Sequence, residues 1–158
     1  MKIFETSYLT KAQITDILKM WNSEYPSQIV YSNGQDFENF IAGMKNARHF
    51  TITDDAANVE GWLCIFERNN ADWFSMIVSG ASQGKGYGSA LLREAKEHIK
   101  SLNGWAVDHN RDVKSNGEPY KSPLEFYTKN GFEIVSNERL ENNGVSTVKI
   151  LWRAEENK

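Results

Sequence analysis

Residues 83–88 read Gln-Gly-Lys-Gly-Tyr-Gly, and a strongly amphipathic helical pattern follows them directly. Gly84, Gly86 and Gly88 leave backbone N–H groups unshielded by side chains. The first N–H groups of a helix have no partner within it, and the helix dipole is positive there, so such a loop cradles anions. Lys85 adds a full positive charge at the same place. A turn that only leads a strand into a helix needs one positive-φ position, fewer than three glycines and a lysine. The loop is read as a pyrophosphate cradle, which implies a nucleotide-derived cofactor and an enzyme.

Two common phosphate motifs do not fit. A Walker A loop needs Ser or Thr directly after Gly-Lys, and Gly86 follows Lys85. A dinucleotide fingerprint would put Ser89 at its third glycine, although Asp108 lies twenty residues after Gly88 at the distance of a ribose-binding acid. That fingerprint opens the first βαβ unit of a parallel sheet, whereas here about eighty residues precede it. A nicotinamide-dependent dehydrogenase is the more distant reading.

The bulk composition agrees with a small enzyme. A length of 158 residues fits one domain spanning 1–158, with room for a real core. Net charge is −3, so nucleic acid is not an expected partner. The single cysteine, Cys64, permits no internal disulfide and no Cys-rich metal site. His49, His98 and His109 are too scattered for a metal-ligand set, and no metal is expected. No run suits a signal peptide or a membrane span, which implies a cytoplasmic protein without a membrane partner.

The elements that must carry the loop follow from periodicity and punctuation. Lys2–Thr6 reads as a first strand, and Thr10 to Gln13 forms a capping box. Ile14, Ile17, Leu18 and Trp21 then share a helical face, with a stop at Pro26. Asn33-Gly34 is turn chemistry, after which Asp36 caps a second helix that turns Phe37, Phe40, Ile41 and Met44 inward. Arg48–Thr53, Val59–Glu67 and Asp72–Val78 are strand-like runs in an antiparallel meander, broken at Asp54–Asn58 and Arg68–Ala71. The helix after the glycine loop carries Tyr87, Leu91, Ala95, Ile99 and Leu102 on one stripe and exits at Asn103-Gly104. Trp105–His109 is a further strand, and residues 110–121 form a long polar loop. Ser122 or Pro123 starts a short helix ending at Asn130-Gly131. Phe132–Arg139 and Thr147–Arg153 are last strands joined by the Asn142-Asn143-Gly144 turn. The sum is an α+β domain with a mostly antiparallel sheet.

Gln83-x-x-Gly86-x-Gly88 resembles the acetyl-coenzyme A signature of the GNAT superfamily of N-acetyltransferases, Gln/Arg-x-x-Gly-x-Gly/Ala. Phe126-Tyr-Thr-Lys-Asn-Gly-Phe132 is similar to a later motif of that family, and the element order matches over residues 1–153. The resemblance implies a mixed, mostly antiparallel sheet of six or seven strands with about four helices, splayed between the fourth and fifth strands. It also implies acetyl-coenzyme A as cosubstrate and N-acetyl transfer to the primary amine of a small molecule or peptide. The transfer would be direct, within a ternary complex, by a monomer or homodimer. The rival is an acyl-coenzyme A-binding sensor or interaction module without turnover.

Residue roles follow from the same resemblance. Gln83, Gly84, Lys85, Gly86, Tyr87, Gly88 and Ser89 would hold the pyrophosphate. The pantetheine arm would pair with the strand edge at Met76, Ile77 and Val78, where a backbone N–H polarises the thioester carbonyl. Asn110 is expected to hold the pantetheine, in competition with Asn116. Tyr127 matches the family's general acid, and a phenol of ordinary pKa near 10 is well matched to a departing thiolate. Asp72 matches the position of a glutamate base in the histone-acetyltransferase branch, with Glu67 as a second candidate. Trp21, Glu24, Tyr25 and Tyr31 fall where relatives contact the acceptor, and the loop with Asp112, Glu118 and Tyr120 is a candidate wall of that site.

Overall fold

A computed structural model describes residues 1–155. Along the chain run β1 (Ile3–Thr6), α1 (Lys11–Glu24), α2 (Gly34–Ala42), β2 (Lys45–Thr53), β3 (Val59–Arg68) and β4 (Ala71–Val78). They are followed by α3 (Tyr87–Lys96), β5 (Ser101–Val107), α4 (Leu124–Lys129), β6 (Glu133–Asn142) and β7 (Val145–Arg153). The seven strands form one sheet in the order β1-β2-β3-β4-β5-β7-β6. Every pairing is antiparallel except β4 with β5, which is parallel. The expected mixed sheet and four helices are what the chain forms.

The strands bury both faces. Phe50, Leu63, Phe74 and Ile150 pack with Leu91 and Leu92 of α3 and with Tyr127 of α4. On the opposite face Trp62, Cys64, Trp73 and Ile77 meet Ile17 and Trp21 of α1 and Phe37 of α2. Period-two alternation along β3 and β4 sends neighbouring residues to opposite cores. Burying each such large apolar side chain contributes about 1.5–3 kcal/mol.

Local chemistry sets the ends of the elements. Thr10 and Gln13 form the capping box of α1, their backbone–side-chain bonds measuring 3.1 and 2.8 Å. Asn143 and Gly144, at φ 50° and 83°, make the two-residue turn between β6 and β7. Such a turn matches the twist of the strands it joins.

Two sequence expectations are corrected. Asp36 does not cap α2; the Asn33 side chain does, accepting from the N–H groups of Gln35 and Asp36, and Asp36 lies in the first turn. Asn103-Gly104 is no helix exit, because α3 ends at Lys96 and these residues sit inside β5. Leu102 accordingly faces the core from a strand, paired with Trp152 on β7. Asn103 Nδ2 donates to Asp72 O at 3.0 Å across to β4. Gly104 serves close approach: a Cβ there would stand 2.4 Å from Phe74 Cε1.

Candidate active site

The sheet opens between its two middle strands. β4 and β5 share one paired position, Trp73 with Asn103, and diverge beyond it. A cavity of about 1040 Å³ fills the gap and reaches both faces of the sheet. Asp72 O accepts from Asn103, Met76 O from Tyr25 Oη at 2.6 Å, and Val78 O from Gln83 Nε2 at 3.4 Å. These residues are separated by even numbers of positions, so their backbones share the edge of β4 turned away from β3. Ser79, one residue further, turns its N–H the other way, to Glu60 O on β3 at 2.9 Å. The N–H groups of Met76 and Val78 therefore lie on the open edge.

The glycine loop leads from this edge into α3. Gly84 and Gly86 both adopt φ +82°, and a Cβ on either would meet nothing within 4 Å. Gly86 is the N-cap of α3, and Ala90 is the first helical amide to find a partner, donating to Gly86 O at 3.0 Å. The amides of Tyr87, Gly88 and Ser89 precede it and are the unsatisfied group of the first turn. Gly88 has a different reason: its Cβ would stand 2.9 Å from Phe126 Cζ, so it permits α3 and α4 to touch. Two of the three glycines open the backbone, and the third allows contact.

Glu60 braces the loop from below. Its Oε2 accepts from Ser79 Oγ at 2.5 Å and from Ser82 Oγ at 2.8 Å. Charge-assisted bonds of this kind are roughly twice as strong as neutral ones. No local pattern in the sequence joins a β3 glutamate to serines some twenty positions later, and the sequence reading missed it.

Of the five tyrosines that line the cavity, three have deeply buried phenol groups and influence one another. Tyr127 comes from α4, Tyr25 from the C-terminal cap of α1, and Tyr120 from the 110–121 loop. The Tyr127 ring meets Phe74, Phe126 and Phe132 edge-on at 5.3 to 5.6 Å, which fixes its direction. Burial raises the Tyr127 phenol above its ordinary pKa, and the neighbouring Tyr120 raises it further. Tyr25 is raised well above the ordinary value, first by burial and then by Tyr127 and Tyr120. Tyr120 is raised by burial and by Asp112. All three phenols keep their protons well into the alkaline range.

The 110–121 loop forms a wall of the cavity through Lys114, Pro119 and Tyr120. It is clasped to the connection after α1 by the Ser27 N–H to Val113 O bond at 2.8 Å and by Gln28 to Asp112 at 3.1 Å. Lys114 Nζ lies 3.4 Å from Glu24 Oε1, which is also 3.4 Å from Gln83 Nε2.

Most of the predicted ligand residues share this cavity. Met76, Ile77, Val78, Gln83, Gly84, Gly86, Tyr87, Gly88, Ser89 and Tyr127 all line it. Lys85 is exposed on the loop and is not part of the wall. Asp72 lies on the closed side of the Trp73–Asn103 pair and does not reach the cavity. Glu67 points elsewhere, to Lys45 and Asn46. Asn110 also stays outside; its Oδ1 accepts from the Ser122 N–H at 2.8 Å and so shapes the approach to α4. Of the cavity's carboxylates, Glu24 lies beside the loop and Glu125 is exposed and paired with Lys129.

Among curated proteins, no sequence matches this chain. Solved structures do match it in shape. An aminoglycoside 6'-acetyltransferase of type Ii superposes with a TM-score of 0.72 at 15% identity, covering 100% of this chain and 100% of its own. A GNAT-family acetyltransferase from Staphylococcus aureus Mu50 gives 0.67 at 14% identity, over 98% of this chain and 100% of its own. A variant of spermidine N-acetyltransferase from Vibrio cholerae gives 0.64 at 16% identity, over 97% and 95%. At such identities the likeness is one of fold. The sequence match comes from the model of the acetyltransferase (GNAT) domain, which covers residues 45–134. That span takes in the meander, the glycine cradle and the tyrosine-bearing helix, and the chain belongs to the GNAT acetyltransferase family.

Proposed function

We propose that the chain moves an acetyl group from acetyl-coenzyme A to a primary amine, by direct transfer while both substrates are bound. The observation that carries this reading is that the amide cradle, the open edge of β4 and the Tyr127 phenol all face one cavity. A diphosphate suits the unsatisfied amides from Gly86 to Ser89, with Gly84 and Gly86 leaving it room. An amide-bearing arm suits the open N–H groups of Met76 and Val78, which would stabilise charge on the thioester oxygen.

Tyr127 then donates a proton to the departing thiolate. Its raised pKa keeps the phenol protonated at the pH where the amine is neutral. A covalent route through the one cysteine has no support. Cys64 is buried in the α1/α2-side core, and burial pushes its thiol up to about 12. The proton leaving the amine passes to solvent in the cavity, beside the Glu24 carboxylate.

The test is an amine panel assayed for free thiol released from acetyl-coenzyme A. Tyr127→Phe is expected to lower turnover about a hundredfold or more while coenzyme A affinity holds. Gly86→Asp is expected to abolish that affinity by placing a carboxylate where the diphosphate sits. No thiol release with any amine, and no effect of Tyr127→Phe on function, would leave a binding module in place of an enzyme.

A further inference from the structure

We propose that the acceptor is an apolar or aromatic primary amine carrying a carboxylate at its far end, and that Arg68 takes this carboxylate. The proposal rests on the acyl-transfer reading above and adds to it the class of acceptor.

On the α1/α2 face the cavity continues from the tyrosines toward the β3–β4 hairpin as an aromatic slot. Tyr31 and Phe40 form one side, stacked at 5.8 Å and 28°. Phe66 and Trp105 line it from the sheet, and Trp105 stacks on Trp73 at 5.3 Å. A flat apolar body suits such walls, since aromatic contacts add to simple area burial.

The charge in the slot belongs to Arg68. Its guanidinium carbon lies 5.1 Å from the Phe66 ring and 5.9 Å from the Trp73 ring. Among the described residues Arg68 forms no ion pair, and its side chain lines the cavity. Nearby acids are otherwise engaged. Glu67 pairs with Lys45, Glu138 with Lys149, and Glu24 with Lys114. Asp36 stands exposed on α2 beside Tyr31, at the outer rim. A guanidinium without an ion pair, in a cavity whose lining carboxylates Glu24 and Glu125 are paired with Lys114 and Lys129, makes this end suited to an anionic oxygen and repellent to the second ammonium of a polyamine.

The spacing sets the length of the molecule. Trp73, under the guanidinium, and Met76, bonded by Tyr25, are three residues apart on β4, which is about 10 Å at ~3.4 Å per residue. An extended tripeptide acid separates its amine and carboxylate by about that distance.

The experiment compares three acceptors on wild type, Arg68→Gln and Arg68→Glu: the tripeptide Ala-Phe-Ala as free acid, the same peptide as C-terminal amide, and spermidine. Thiol release is followed with acetyl-coenzyme A, and coenzyme A binding by calorimetry confirms that each variant is folded. In wild type the acid is expected to exceed the amide in kcat/KM by about tenfold, through KM. Arg68→Gln should erase that difference with kcat little changed, and Arg68→Glu should favour the amide. Equal use of acid and amide by wild type, a preference for spermidine, or a preference for the acid that survives Arg68→Gln would overturn the acceptor class and leave acyl transfer standing. No thiol from any acceptor, with coenzyme A bound, would overturn acyl transfer itself and the acceptor class with it.

Discussion

Tyr25 Oη donates to Met76 O at 2.6 Å, joining residues 51 positions apart. The bond ties the end of α1 to the open edge of β4, so helix and strand hold one geometry. The Tyr25 ring is fixed in turn by an edge-on contact with Trp21 at 4.5 Å. Tyr25→Phe keeps this packing and removes only the donor. Leaving a carbonyl without its partner costs about 1–3 kcal/mol. For a chain of this size that is a loss of several degrees in Tm. Thermal unfolding with and without coenzyme A is the check; an unchanged Tm would show that the bond contributes nothing.

Gly88 and Phe126 make a second coupling, between the glycine loop and Tyr127. A methyl group at Gly88 would press on Phe126 Cζ, and Phe126 precedes Tyr127 with its ring 5.3 Å away. Gly88→Ala is expected to displace Tyr127 and lower kcat by about tenfold or more, since small misplacements of reacting groups are costly. Phe126→Leu in the same chain should recover part of the loss. Gly84→Ala is the control. It meets open space, so its cost is backbone strain at positive φ, about 1–2 kcal/mol, without a shift of Tyr127. Equal effects of both substitutions on kcat would refute the coupling.

What the sequence made legible was local or periodic. The capping box at Thr10, the meander, the glycine loop leading into α3 and the Asn143-Gly144 turn each rest on residues close together in the chain. The errors came where one signal has two physical causes. Asn103-Gly104 reads as a helix exit because glycine tolerates positive φ, yet Gly104 answers to the ring of Phe74, thirty residues earlier. Asp72 shares its face with Phe74 and Met76 as alternation requires, but nothing local reveals that the Trp73–Asn103 pair closes the sheet in front of it. Glu60 braces the glycine loop across the fold, so its part becomes visible only when β3 and that loop are brought together. Tyr25 and Tyr120 are expected near the site from the sequence, and only their bonds and neighbours await the fold.

His49 gives the fold an acid-side sensitivity independent of the active site. It is buried on β2, and its Nδ1 accepts from Trp62 Nε1 at 3.1 Å. Burial lowers its pKa to about 4, against about 6.5 for a free imidazole. The folded state therefore binds fewer protons than the unfolded chain between those values. The stability that neutral His49 contributes is fully present above about pH 6.5 and is lost as pH falls toward 4. A shift of that size corresponds to at most ~3 kcal/mol. His49→Asn keeps an acceptor for the Trp62 N–H and removes the titration. Denaturant unfolding at pH 7, 5.5 and 4.5 should show wild type losing stability faster than the variant, with the two converging in slope above pH 6.5. Parallel losses throughout the range would assign the acid sensitivity to carboxylates instead.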